Sequence, residues 1–525
     1  MCPPIMRALL RSFVLAVAIV SPAAAQPLSV DVLIRGGRVI DGTGTDARPS
    51  DVGIRGDRIV FVGDARARGI TAARTLDATG LIVAPGFIDP HTHTAGDLSN
   101  PEGRGNAPFL MQGVTTVITG NDGGGPVNVG ETLAEWERGG IGTNAALYVG
   151  HGSVRRAVLG PSSAAPTPAQ LDSMRTLVAN AMRAGALGLS SGLYYTPGSF
   201  ARTEEVIELA RVAARYGGVY DTHMRDESSY TIGLLGSIQE SIRIGREAGI
   251  PVNISHIKAL GTDVWGKSTE VIAAVEAARR SGLKVTADQY PYTASGTGLG
   301  ASLLPRWAEA GGGDSLRARV ADPATRARLI TDMTDNMRRR GGAESLLLVS
   351  GAEGLRGKTL AAIARERGLP PIEAGLQLIL EGCCSVASFN MNERDIEQFM
   401  KRDWVMTGSD GSGGHPRKYG TYPRKLREYV FTRKLVTLPF AIRASTSLPA
   451  ETFGLRERGV IREGHFADVI VFDERTVADK STYEEPRLLA VGMRWVLVNG
   501  KLAVEDGKET ATLAGRVLRG PGMGR

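Results

Sequence analysis

The stretch "LIVAPGFIDPHTHTAGD", residues Leu81 to Asp97, carries two of the chain's seven histidines one residue apart, where an apolar run ends. Alternate side chains of a strand point to one face, so His91 and His93 project together from the strand's end. Two neutral imidazoles so placed suit one metal ion, and a surface pair is the plain alternative. The other strand ends decide between them.

Seven more short apolar runs follow: "VTTVITG", "NAALYVG", "ALGLSSGL", "GGVYDTH", "IPVNISH", "LKVTADQY" and "WVMTGSD". Amphipathic segments lie between them. In "RTEEVIELARVAARYGG" Val206, Leu209, Ala210 and Ala213 keep the i, i+3, i+4, i+7 spacing of a helix buried on one face. "TPAQLDSMRTLVANAMRAG" opens with Thr167 as N-cap, Pro168 in the first turn and Gln170 completing a capping box. Eight strands alternating with helices predict an α/β chain folded as a (β/α)8 barrel rather than an open sheet. The barrel spans about residues 85–445, with a helical insertion at about 301–402 before the last strand. Short β segments precede it ("VDVLIRGGRVIDG", "DVGIRGDRIVFVGD") and follow it ("GVIREGHFADVIVFDE", "RWVLVNGKLAVEDGK"). Residues 26–84 and 446–525 are therefore expected to form one β domain.

The amino terminus reads as a signal peptide. Arg7 and Arg11 precede the apolar "FVLAVAIV", and Ala23-Ala24-Ala25 offers a cleavage site, so the mature chain is expected to begin near Gln26. The apolar run is too short to anchor in a bilayer. These features predict a periplasmic or secreted protein without a membrane anchor. The net charge of +7 falls by two with the leader, and the basic residues are scattered, with no arm or aromatic-spaced stripe. That pattern excludes nucleic acid as the expected partner and leaves a small-molecule substrate. Cys383 and Cys384 are adjacent, a strained arrangement for a disulfide, so no disulfide framework is expected.

Barrel enzymes carry their chemistry at the carboxyl ends of the strands. Those ends present His91 and His93, then Asp122 in "GNDGG", His151, His223 in "DTHMRDE", His256 in "NISHIKA" and Asp410 in "TGSDGS". His415 falls in the loop after the last strand, and only His465 lies elsewhere. Six strand ends of one rim bearing histidine or aspartate point to a divalent metal of the zinc type. A bound metal lowers the pKa of its water and polarises a carbonyl, which makes hydrolysis the expected reaction.

The chain resembles the amidohydrolase superfamily, and within it the N-acyl-D-amino-acid deacylases. The resemblance covers nearly all of the mature sequence, through "APGFIDPHTHTAGD", "QGVTTVITGNDG", "GLYYTPGSFARTEE", "THMRDES", "NISHIKALG", "DQYPYTASGTGL", "TGSDGS…HPRKYGTYPR" and "GVIREGHFADVIVFD". The first motif marks the superfamily; the string around Tyr194–Ser199, "THMRDE", "SHIK" and "HPR…GTYPR" are more specific. The resemblance implies that the terminal segments form a β-sandwich beside the barrel. It implies one or two zinc ions, the tighter held by Asp122, His223 and His256, the second held or approached by His91, His93 and Asp410. Asp410 is the implied general base, acting on water that attacks the amide carbonyl. Lys258 and Arg417 are candidates for the substrate carboxylate, Tyr194 and Tyr290 for the carbonyl, and His151 for orienting water or substrate; Arg225 is a further cationic candidate.

One departure stands out. The family usually has cysteine where this chain has Asp122, a harder ligand that shifts preference away from soft metals. Many superfamily relatives bridge two metals with a carboxylated lysine after strand four, but the first lysine here is Lys258. The D preference comes from the resemblance alone. A dipeptidase or a cyclic-amide hydrolase of the hydantoinase or dihydroorotase type is the alternative on the same scaffold, and a catalytically dead binding protein is the alternative of another class.

Overall fold

The run opened above is two strands, not one. Ile82–Pro85 belongs to the terminal β domain and Phe87–Thr92 to the barrel. Gly86 is the joint: a Cβ there would lie 2.2 Å from Thr115 Oγ1, so only glycine lets the chain pass this close to the second barrel strand. The computed structural model describes Met1 and residues 28–524. The signal peptide and the start at Gln26 lie outside the described residues. Among those residues no helix is long and apolar enough to cross a membrane.

All eight expected barrel strands are present: Phe87–Thr92, Val114–Thr119, Asn144–Leu147 continued by Val149–Gly150, Gly188–Gly192, Val219–His223, Val252–Ile254, Val285–Gln289 and Val405–Thr407. Neighbours pair in parallel register, for example Thr116 with Asn144 and Tyr220 with Val252. The Thr92–Gly411 bridge closes the ring. Their burial on both faces explains the continuous apolar runs in place of alternation. The helix Pro168–Arg183 starts with the full capping box, and Thr203–Arg215 buries Val206, Leu209, Ala210 and Ala213 as its spacing predicts.

The first and last segments share one nine-stranded sheet, in which Ile82–Pro85 pairs with Val469–Phe472. The helix Ser447–Phe453 still packs with the barrel, so β structure resumes later than residue 446. The insertion is not purely helical. Its helices enclose their own core around Leu303, Leu329, Met333 and Leu360, and Ala294–Gly298, Leu346–Leu348 and Ser385–Phe389 form an antiparallel sheet beside it. Cys383 and Cys384 lie side by side just before the strand Ser385–Phe389.

A buried polar network couples the β domain to the barrel. Arg458 pairs with Asp468 and donates to Asn499 at 2.9 Å; Asn499 and Asp468 in turn bond Asn144 of the third barrel strand at 2.8 and 3.1 Å. Removing one member of a buried ion pair strands the other charge. Asp468→Ala is expected to cost about 3–5 kcal/mol, read as a lowered Tm; an unchanged Tm would remove this network from the stability of the joint.

Candidate metal centre

Six side chains converge at the carboxyl end of the barrel in two overlapping groups: His91, His93, Asp122 and Asp410, and Asp122, His223 and His256. Asp122 is common to both. Its Oδ1 lies 3.4 Å from both His91 Nε2 and His256 Nε2, and its Oδ2 lies 3.5 Å from His93 Nε2 and 3.9 Å from His223 Nδ1. His93 Nε2 is 3.0 Å from Asp410 Oδ1, and His223 Nδ1 is 2.9 Å from His256 Nε2. The backbone is bent to achieve this. Asp122, His256 and Asp410 sit at φ of 56°, 35° and 48°, a costly left-handed conformation that accumulates where side chains must be aimed at one point.

The donor set fits a divalent cation. His91 is fully buried, yet neither ring nitrogen has a hydrogen-bond partner, and Asp122 Oδ1 is likewise buried and unpartnered. Buried polar atoms without partners are rare, and His91 Nε2 facing Asp122 Oδ1 across 3.4 Å is explained by an ion the two would share. The field agrees. Burial opposes charge on His93, but Asp122 and Asp410 lift it to about 9. Burial and Lys258 oppose charge on His256, but Glu227 and Asp122 lift it to about 10. His223, where burial dominates, falls to about 4. Carboxylates and imidazoles here hold a charge balance that favours added positive charge.

A floor of buried acids supports the ligands. Asp288 Oδ1 accepts from the His256 backbone N–H at 2.9 Å and lies 3.6 Å from His91 Nδ1. Asn253 donates to both Asp221 and Asp288 at 2.8 Å, spacing two acids that would repel. Glu227 is the residue the sequence reading passed over. Its Oε1 accepts from Lys258 Nζ at 2.7 Å and lies 3.1 Å from His256 Nδ1, so it orients a ligand through its far ring nitrogen. Burial pushes this carboxyl up, but Lys258 prevails and holds it below the usual range. Its signal was its place four residues after His223 in "THMRDES".

Of the expected substrate residues, Lys258, Tyr290 and Tyr194 line one narrow cavity together with His223, His256 and Asp410. Arg417 is buried and sets Nη1 2.8 Å from Asp410 Oδ2, with Tyr290 under its guanidinium. Burial would raise the Asp410 carboxyl, but Arg417 holds it well below the ordinary range. Tyr290 keeps a buried hydroxyl without a partner. The Tyr194 hydroxyl donates to Ala301 O at 2.7 Å, so its proton is already used; Tyr195, whose ring centroid lies 4.7 Å from that of His223, lines the same cavity. His151 is not brought to the site. It starts the helix His151–Leu159, and its Nε2 lies 2.9 Å from Glu205, which also pairs with Arg155. Arg225 is spent on Glu240 at 2.8 Å, and His415 holds its loop by bonding Ala294 O and the Arg417 N–H.

Residues 74–504 match the model of an amidohydrolase family. The D-aminoacylase of Alcaligenes xylosoxydans xylosoxydans is 36% identical, across 95% of this chain and 99% of that protein. A solved D-aminoacylase, described with a binuclear metal centre activated by one metal and attenuated by the second, superposes with a TM-score of 0.80 at 35% identity over 93% of this chain and 100% of its own. The N-acyl-D-glutamate deacylase of Bordetella bronchiseptica, solved with zinc and a phosphonate mimic of the tetrahedral intermediate, gives 0.79 at 33% identity over 94% and 100%. The chain belongs to the amidohydrolase family, in the group of the D-aminoacylases.

Proposed function

We propose that this protein is an exported, zinc-dependent hydrolase that removes the acyl group from N-acyl-D-amino acids. The observation that carries the reading is Asp122, shared by two groups of metal-ligand side chains; it lines one cavity with Arg417, Lys258 lines the neighbouring one, and Asp410 lines both.

When bound by these ligands, a divalent metal supplies activated water at neutral pH and polarises the scissile carbonyl. The chain's own groups do the rest. Asp410 takes the proton of the attacking water and returns it to the leaving amine nitrogen, as a carboxylate at this position can. Arg417 keeps Asp410 ionised until then. Lys258 and Arg417 face the α-carboxylate, and Tyr290 offers its free hydroxyl to the carbonyl oxygen. The narrow cavity keeps bulk water from the reacting amide.

Purified protein loaded with zinc should release free amine from N-acetyl-D-amino acids and not from their L counterparts. Replacing the α-carboxylate with a carboxamide should raise KM by roughly 10-fold or more, the loss of a charge-assisted contact. Metal analysis of protein from its native host tests zinc, and amino-terminal sequencing of the exported form tests cleavage before Gln26. Equal turnover of D and L substrates, or an intact Met1 in a membrane fraction, would overturn the corresponding part of the reading.

A further inference from the structure

Four arginines are buried among the described residues: Arg155, Arg340, Arg417 and Arg458. Three face a carboxylate of the chain, namely Glu205, Asp410 and Asp468. Arg340 does not. It closes the helix Pro323–Arg339 of the insertion, is 2% exposed and lines the cavity that holds His223, His256 and Asp410. Its Nη2 donates to the Tyr194 hydroxyl at 3.1 Å, while Nε and Nη1 have no partner in the protein. The hydroxyl of Tyr230, in the same wall, is also buried and unpartnered. Flanking aromatic rings are weak compensation for a desolvated guanidinium, whose planar fork matches a carboxylate. This end of the cavity therefore presents positive charge and free donors, and nothing of the chain answers them.

The position separates Arg340 from the α-carboxylate. That group is two bonds from the scissile nitrogen and must stay beside the ligands, where Lys258 lies 2.6 Å from His256 and Arg417 2.8 Å from Asp410. Arg340 stands one layer farther out, beyond Tyr194, whose ring centroid is 5.6 Å from that of His223. A second anion on the substrate, carried on its side chain, has the reach to meet it. We infer that Arg340 is a specificity-determining residue that binds a side-chain carboxylate, and that the enzyme prefers N-acyl-D-amino acids with acidic side chains. The inference rests on the deacylase reading.

The test compares kcat/KM for N-acetyl-D-glutamate, the isosteric N-acetyl-D-glutamine and N-acetyl-D-methionine in wild type, Arg340→Met and Arg340→Lys. Wild type should favour glutamate over glutamine by roughly 10–100-fold, mostly through KM, the scale of one charge-assisted contact. Arg340→Met should lose that preference while keeping its rate on glutamine and methionine within about 3-fold, the sign that packing is intact. Arg340→Lys should recover part of it. A wild type that turns over the neutral substrates as well as glutamate overturns the inference and leaves the deacylase reading standing. A Met variant that loses all three substrates alike also overturns it, by placing Arg340 at the α-carboxylate or in the fold. Silence on the whole panel removes the deacylase reading and the inference together. If the Met variant does not fold, the wild-type ratio and the Lys variant decide.

Discussion

Asp410→Asn is expected to lower kcat by roughly 10²–10⁴, the contribution of a positioned general acid–base. The change keeps size and shape and removes the charge that takes up the proton. KM should move little, because Lys258, Arg417 and Tyr290 remain. The ion held by Asp122, His223 and His256 should also remain, because none of those residues is placed by Asp410. The structure adds a second consequence. Arg417 is 1% exposed and loses its ionised partner, so the variant should also be less stable, by roughly 1–3 kcal/mol. Steady-state kinetics, metal analysis and a thermal melt together decide the matter. Near-normal turnover would end the assignment of Asp410 as the base; loss of all metal would make its role chiefly that of a ligand.

Asp122→Ala is expected to reduce metal affinity by roughly 10²-fold or more, with activity falling alongside, because both histidine groups lose the carboxylate they share. Alanine is also disfavoured at the left-handed backbone of this position, so the loss needs a control. Asp122→Asn supplies one: it tolerates the same backbone and keeps the shape while discarding the charge. If ligation is the cause, Asn should be nearly as poor as Ala. Asp122→Cys should retain bound zinc and part of the turnover, since thiolate is a good ligand for that ion. Unchanged metal stoichiometry and affinity in Asp122→Ala after dialysis would show that this aspartate only shapes its turn.

Much of this molecule was legible in its amino-acid order. Eight apolar runs at strand length, with helices of matching period between them, allowed few architectures, because a parallel strand buried on both faces has almost no polar positions to spare. The candidate ligands were legible for a related reason: histidine is scarce in this chain, and its placement at successive strand ends has no packing explanation. Tertiary structure alone decided what those residues touch. Asp122 became the shared member of two groups only once strands one, two, five and six closed into a ring. Glu227 and Asp288 earned their roles from contacts made across neighbouring elements, which no local spacing encodes. His151 shows the converse: it follows a strand like the others, yet Glu205, buried on a helix 54 residues later, holds it outside the cavity. Arg340 was one of three consecutive arginines in an insertion, indistinguishable in sequence from its neighbours. Its isolation from every carboxylate is a property of the packed fold, since desolvation depends on what surrounds a charge in space rather than along the chain.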